Sequence, residues 1–225
     1  MTRALKFAKV DFLKVWRFFY ILLFPVFAVL MEARDPRSPA IASVFYCLFA
    51  SIVLAAIPFK LESVAESGFL QLLPARPGEL VLGHFLFGFV TNLAGFALGL
   101  LCTLLAHAIH PAAALFTLGG RTIAGFYPAL LGVALVFTGA EALMMTVMRF
   151  RSVHADQLMR TLPGMVFLIG IHRLATDSPA GASGVIGSFS GLSGLGGLAV
   201  LGVCLLAFAA LSCIAGRISV ARGQS

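Results

Sequence analysis

Charge is scarce in this chain: 11% of its residues are Asp, Glu, Lys or Arg, against roughly 25% in soluble domains. The acidic class is the thinner one, with 9 Asp and Glu against 16 Lys and Arg. With 60% of the residues hydrophobic, a water-soluble fold has too little polar surface to cover its core. Nucleotide hydrolysis on this chain is excluded by the lack of a G-x-x-x-x-G-K-[ST] loop to cradle phosphates. The four cysteines, Cys47, Cys102, Cys204 and Cys213, contain no CxxC pair and sit in apolar stretches, where they read as small core residues. The one close histidine pair, His107 and His110, lacks nearby carboxylates and a third ligand, so no metal site is expected. Tryptophan occurs once, as Trp16.

What is present is apolar sequence in blocks near the length that crosses a hydrocarbon layer, about 20 helical residues at 1.5 Å each. The expectation is an all-α, polytopic membrane helix bundle forming a single domain over residues 1–225. Six spans are expected at about 15–31, 40–58, 80–105, 125–148, 161–176 and 192–215. The fifth is trimmed by Pro163 and His172-Arg173. Residues 1–14 place Leu5, Ala8 and Phe12 beside Lys6, Lys9 and Lys14 at helical spacing, an interfacial helix. The first apolar run ends at Glu32-Ala33-Arg34-Asp35-Pro36 without a small-x-small cleavage signature, so it reads as a membrane helix instead of a signal peptide.

Lys and Arg divide unevenly between the two sides. Arg3, Lys6, Lys9, Lys14, Arg17, Lys60, Arg76, Arg149, Arg151, Arg160, Arg217 and Arg222 lie on one side, and Arg34, Arg37, Arg121 and Arg173 on the other. By the positive-inside rule both termini are cytoplasmic. The same flanking distribution speaks against nucleic acid as a partner, because no basic stripe with interleaved aromatics forms. Trp16, Tyr20, Tyr46 and Tyr127 fall near span ends, as interfacial anchors do. The Gly/Ser-rich stretch 180–191 reads as either an outer loop or a re-entrant segment.

Three features invite a chemical reading. Gly191-Leu192-Ser193-Gly194 is similar to the G-x-S-G of rhomboid-type intramembrane proteases, but the last histidine is His172, ahead of the serine, and a serine without a base is not an activated nucleophile. No catalytic residues are therefore assigned, and the chain is read as a non-enzyme. Glu141 lies well inside the fourth span, about 12 Å from Arg149 by helix rise. An intramembrane carboxylate suggests function, with pairing to His84 or Arg17 as the structural alternative. Gly95 and Gly99 form a G-x-x-x-G, read first as intrachain packing and second as a dimer seam.

The segment joining spans two and three, residues 59–79, is too polar to cross and too apolar for an ordinary loop. Its Leu61, Val64, Phe69, Leu72 and Leu73 can share one face, suited to docking in a partner's groove. From Leu73 onward, Leu73, Pro74, Arg76, Glu79, Val81 and Gly83 match a Leu-Pro-x-x-Arg/Lys-x-Glu-x-Val-x-Gly-Lys pattern. In this pattern the chain resembles the ABC-2 type permeases, in particular the small six-span group that includes exporters of amphipathic staphylococcal peptides. It departs from them at Pro77-Gly78 and in having His84 where Lys is usual.

The resemblance implies a multi-pass permease of a bacterial inner or plasma membrane, exporting amphipathic or hydrophobic cargo such as a peptide, a lipid-like molecule or a drug. It implies a cytoplasmic coupling helix carrying Glu62, Glu66, Phe69, Leu70, Leu73, Pro74, Arg76 and Glu79, seated on a separate P-loop ATPase. ATP and magnesium are then expected on that partner, none on this chain, and a second permease chain, identical or not, completes the pathway. The few polar residues expected along the pathway are Asn92, Thr138 and Glu141. The alternatives are an integral membrane enzyme acting on lipids and a non-transporting assembly or immunity subunit.

Overall fold

In a membrane the backbone must satisfy its own hydrogen bonds, and helices do so within one segment. The computed structural model describes residues 2–22, 41–65, 77–109, 120–147 and 193–223, and every one of them except Ser193 is helical. The elements are α1 (Thr2–Val15), a 3-10 helix continuing it (Trp16–Leu22), α2 (Ile41–Ala65), α3 (Pro77–Ile109), α4 (Gly120–Val147) and α5 (Gly194–Gly223).

Among the described residues three helices are long and apolar enough to cross a membrane: Gly78–Leu105 in α3, Gly125–Thr146 in α4 and Gly194–Ala221 in α5. At 1.5 Å per residue, 22 residues already span about 33 Å, more than a hydrocarbon core of about 30 Å. Within α2, Tyr46–Pro58 is a shorter apolar stretch. The expected fifth span, 161–176, lies outside the described residues, as does most of the first. What is described of the first, Trp16–Leu22, is 3-10 and not α-helical.

Two helix ends lie beyond the expected spans. The apolar stretch of α2 ends at Pro58, where the second span was expected to stop, while the helix itself runs on through Pro58 to Ala65. Proline forfeits only its own donor, here toward the Leu54 carbonyl, and Lys60-Leu61-Glu62 are good helix formers that carry the helix onward. α3 begins at Pro77 with Glu79 in its first turn, where proline's fixed φ and a carboxylate both favour a helix N-terminus. The expected coupling segment 59–79 thus has helical ends.

Contacts fix the relative directions. Residues 47 and 51 of α2 meet Gly95 of α3, and Ala55 meets Gly88, so these helices are antiparallel. Gly78 of α3 lies against Gly216 and Val220 of α5, while Phe85 stacks on Phe208 at 5.4 Å, again antiparallel. α4 and α5 run parallel, Gly132 facing Leu201 and Cys204 and Gly139 facing Phe208 and Leu211. Two glycines permit backbone contact. A Cβ on Gly95 would stand 2.8 Å from the Cys47 carbonyl oxygen, and one on Gly197 would overlap the backbone of Gly125.

The resulting interior inverts the soluble rule. Leu198, Val203, Leu206 and Ile214 of α5 are exposed, whereas Ser51, His84, Thr91, Asn92, Thr103, Thr138 and Glu141 are buried. Lipid solvates leucine as well as protein does, so polar groups are the ones that gain from the interior. Thr91 and Thr103 satisfy their hydroxyls by donating to the Phe87 and Gly99 carbonyls four residues back. A main apolar cluster around Leu48, Ile52, Phe85, Tyr127, Leu131 and Phe208 ties α2 to α5 together.

Some single-residue expectations changed. Tyr127 is not an exposed anchor: it is buried, with its ring edge-on to Phe96 at 6.5 Å. Cys47 and Cys102 are buried as read, but Cys213 is exposed on α5. Gly95 packs within the chain, against α2.

Candidate functional site

Asn92, in the middle of α3, is wholly buried and links three helices. Its Nδ2 donates to the Gly88 carbonyl at 2.9 Å and to Thr138 Oγ1 of α4 at 2.8 Å, which uses both amide protons. On the other side, Ser51 Oγ of α2 lies 3.0 Å from Asn92 Oδ1 and 2.7 Å from the Leu48 carbonyl oxygen, so one hydroxyl proton serves two acceptors. Gly88 and Gly95, four residues before and three after Asn92, remove the side chains that would hold α2 and α4 away from it. The amide thereby acts as a polar clasp for α2, α3 and α4.

Glu141 sits on α4 one turn beyond Thr138 and is 5% exposed. Its carboxylate makes no hydrogen bond or ion pair to another of the described residues. Pairing with His84 or Arg17 does not occur. Arg17 is exposed, and His84 Nδ1 instead meets Asp11 Oδ2 of α1 at 2.6 Å, with both side chains nearly inaccessible. Of the expected pathway residues, the structure therefore joins Asn92 to Thr138 directly and sets Glu141 next along the same helix.

The Asp11–His84 pair belongs to a close seam between α1 and the start of α3. A Cβ on Gly83 would stand 2.6 Å from Phe7 Cβ and 3.2 Å from the Ala4 carbonyl oxygen. Val15 joins Ala50, Leu54 and Phe87 in a second apolar cluster. Phe7, Ala4 and Ala8 of α1 thus meet α3 at Gly83, and Asp11 meets it at His84. The face docked in this way is Ala4, Asp11 and Val15. Leu5 and Phe12 of the expected apolar stripe are exposed, as is Trp16.

Among the expected coupling residues, Glu79 is half-buried in the first turn of α3. Glu62 lies in the last turn of α2, and its side chain is outside the description. Glu66, Phe69, Leu70, Leu73, Pro74 and Arg76 lie outside the described residues. Ser193 of the G-x-S-G has a structural role: its Oγ accepts from the Gly196 N–H at 3.1 Å and its carbonyl from the Gly197 N–H at 3.0 Å, the pattern of a helix N-cap. Among the described residues no group of three or more metal-ligating side chains converges.

Ser51 and Asp11 escaped the sequence reading, although each left a trace. Ser51 is the lone hydroxyl between Tyr46 and Pro58, and Asp11 is the lone acid among the cations of the first 17 residues. The chain matches no family model, no curated protein and no solved structure.

Proposed function

We propose that this chain is the permease subunit of an ATP-driven membrane exporter, with hydrolysis performed by a separate P-loop ATPase. The observation carrying this reading is the arrangement at one end of the bundle. The Ala65 end of α2 and the Pro77 end of α3 lie at the same end of an antiparallel pair, and α1 is pinned to that same end through Gly83 and the Asp11–His84 pair. The eleven residues between those ends, 66–76, are the middle of the acidic-apolar segment 59–79 and carry the Leu73-Pro74-x-Arg76 part of the pattern that resembles ABC-2 type permeases. A push on that segment would act on two helices of the Asn92 clasp and on α1 together, which is what a two-state bundle driven by a partner requires.

The six-span topology with cytoplasmic termini belongs to this reading. Because α4 and α5 run parallel, the end of α4 at Val147 and the start of α5 at Gly194 lie at opposite ends of the bundle, an arrangement that a fifth crossing between them accommodates. The cargo in this reading is amphipathic or apolar, as the resemblance to ABC-2 type permeases implies. The test is purification of the tagged chain in mild detergent with photolabelling by an azido-ATP analogue. A stoichiometric labelled partner is expected, lost on Leu70→Glu with Leu73→Glu while insertion persists. Absence of any nucleotide-binding partner from the wild-type preparation overturns the proposal.

A further inference from the structure

The outer face of α1 has no partner among the described elements, and its composition is specific. Lys6, Lys9 and Arg17 are exposed, as are Leu5 at 67%, Phe12 at 40% and Trp16 at 61%. At 100° per residue Leu5 and Phe12 lie on one flank of this face and Lys9 and Lys6 follow, with exposed Leu13 between the two lysines and Val10 beyond them, so cations and apolar side chains interleave. The only acid of the helix, Asp11, is turned inward and engaged by His84, so nothing on the outer face offsets its positive charge. Phe12, Trp16 and Phe19 form a ring cluster with centroids 5.1 to 6.1 Å apart.

Depth is set by the docking contacts. α1 meets α3 at Gly83 and His84, five and six residues from the Gly78 end of the apolar span, or about 8 Å along the helix. That is the depth of an in-plane helix at the boundary between headgroups and acyl chains, about 5–10 Å in. At such a level the apolar side chains would reach acyl chains while the long lysine side chains would extend to phosphates.

We infer that the outer face of α1 is a binding surface for anionic phospholipid headgroups, which it holds in preference to zwitterionic ones through Lys6, Lys9 and Arg17. This inference rests on the membrane placement of the bundle and not on the transport reading, so either can fail alone.

Trp16 is the chain's sole tryptophan, and its emission reports on this face. The purified full chain is reconstituted in phosphatidylcholine vesicles carrying about 20 mol% of either brominated phosphatidylglycerol or brominated phosphatidylcholine. Quenching by the anionic lipid is expected to exceed that by the zwitterionic one about threefold. The difference should collapse in about 1 M salt, and it should vanish in K6Q/K9Q/R17Q with unchanged helicity and elution. Equal quenching in the wild type, a difference that survives salt, or a difference retained by the triple variant overturns the inference. So does an emission that neither lipid quenches, which would mean that protein covers the face.

Discussion

Asp11 of α1 and His84 of α3, 73 positions apart in sequence, meet at 2.6 Å with their side chains 2–3% exposed. Removing one member of a buried pair takes a close polar partner from the other and costs about 3 kcal/mol or more, whereas removing both costs less than the sum. Asp11→Ala and His84→Ala should therefore each lower the thermal midpoint in detergent, and the double variant should fall by less than the sum of the two single losses. Additive losses would show that the two groups act independently.

The Asn92 clasp makes a graded prediction. Asn92→Ala leaves Thr138 and Ser51 without their interhelical partner, while Thr138→Val removes one contact only. Interhelical hydrogen bonds in membranes average about 0.6 kcal/mol each, so Asn92→Ala should cost about 1–2 kcal/mol and Thr138→Val about half as much. Denaturation in mixed detergent measures both, and equal losses would contradict the geometry.

How far the sequence foretold these relationships depends on what its pattern encodes. The helices of α2 to α5 are legible because hydropathy marks every residue of a span, and the interfacial α1 because its cations recur at helical spacing. Partner choice is not legible in this way. Glu141 looked equally able to meet His84 or Arg17, and only the crossing of α1 over Gly83 decides that His84 is taken by Asp11. The docked face of α1 is not legible for a related reason: the sequence marks Leu5 and Phe12 as the apolar stripe of an interfacial helix, but only the close approach to Gly83 shows that small Ala4 is the residue that packs against α3.

Glycine substitutions separate close packing from open surface. A Cβ at Gly95 would lie 2.7 Å from Ser51 Cβ and 2.8 Å from a backbone oxygen, and at Gly197 it would strike the Gly125 backbone, whereas at Gly202 and Gly216 it would meet none of the described residues within 4 Å. Gly95→Ala and Gly197→Ala should each destabilise by about 1–3 kcal/mol. Gly202→Ala and Gly216→Ala should be neutral or stabilise by up to about 1 kcal/mol through the unfolded chain. The four variants need only one melting series.

Glu141 yields the prediction that bears most directly on function. Its carboxylate is 95% buried by its 5% exposure and has no bonding partner among the described residues, so its retention does nothing for stability that a neutral isostere would not do better. Buried polar groups without structural partners are where stability is given up for activity. Glu141→Gln should therefore match or exceed the wild type in thermal midpoint, while cargo-stimulated ATP hydrolysis by the assembled complex falls at least about tenfold, the equivalent of about 1.4 kcal/mol. Unaltered stimulation with raised stability would leave Glu141 without a part in transport. A lowered midpoint would instead reveal a bonding partner for its carboxylate beyond the described helices.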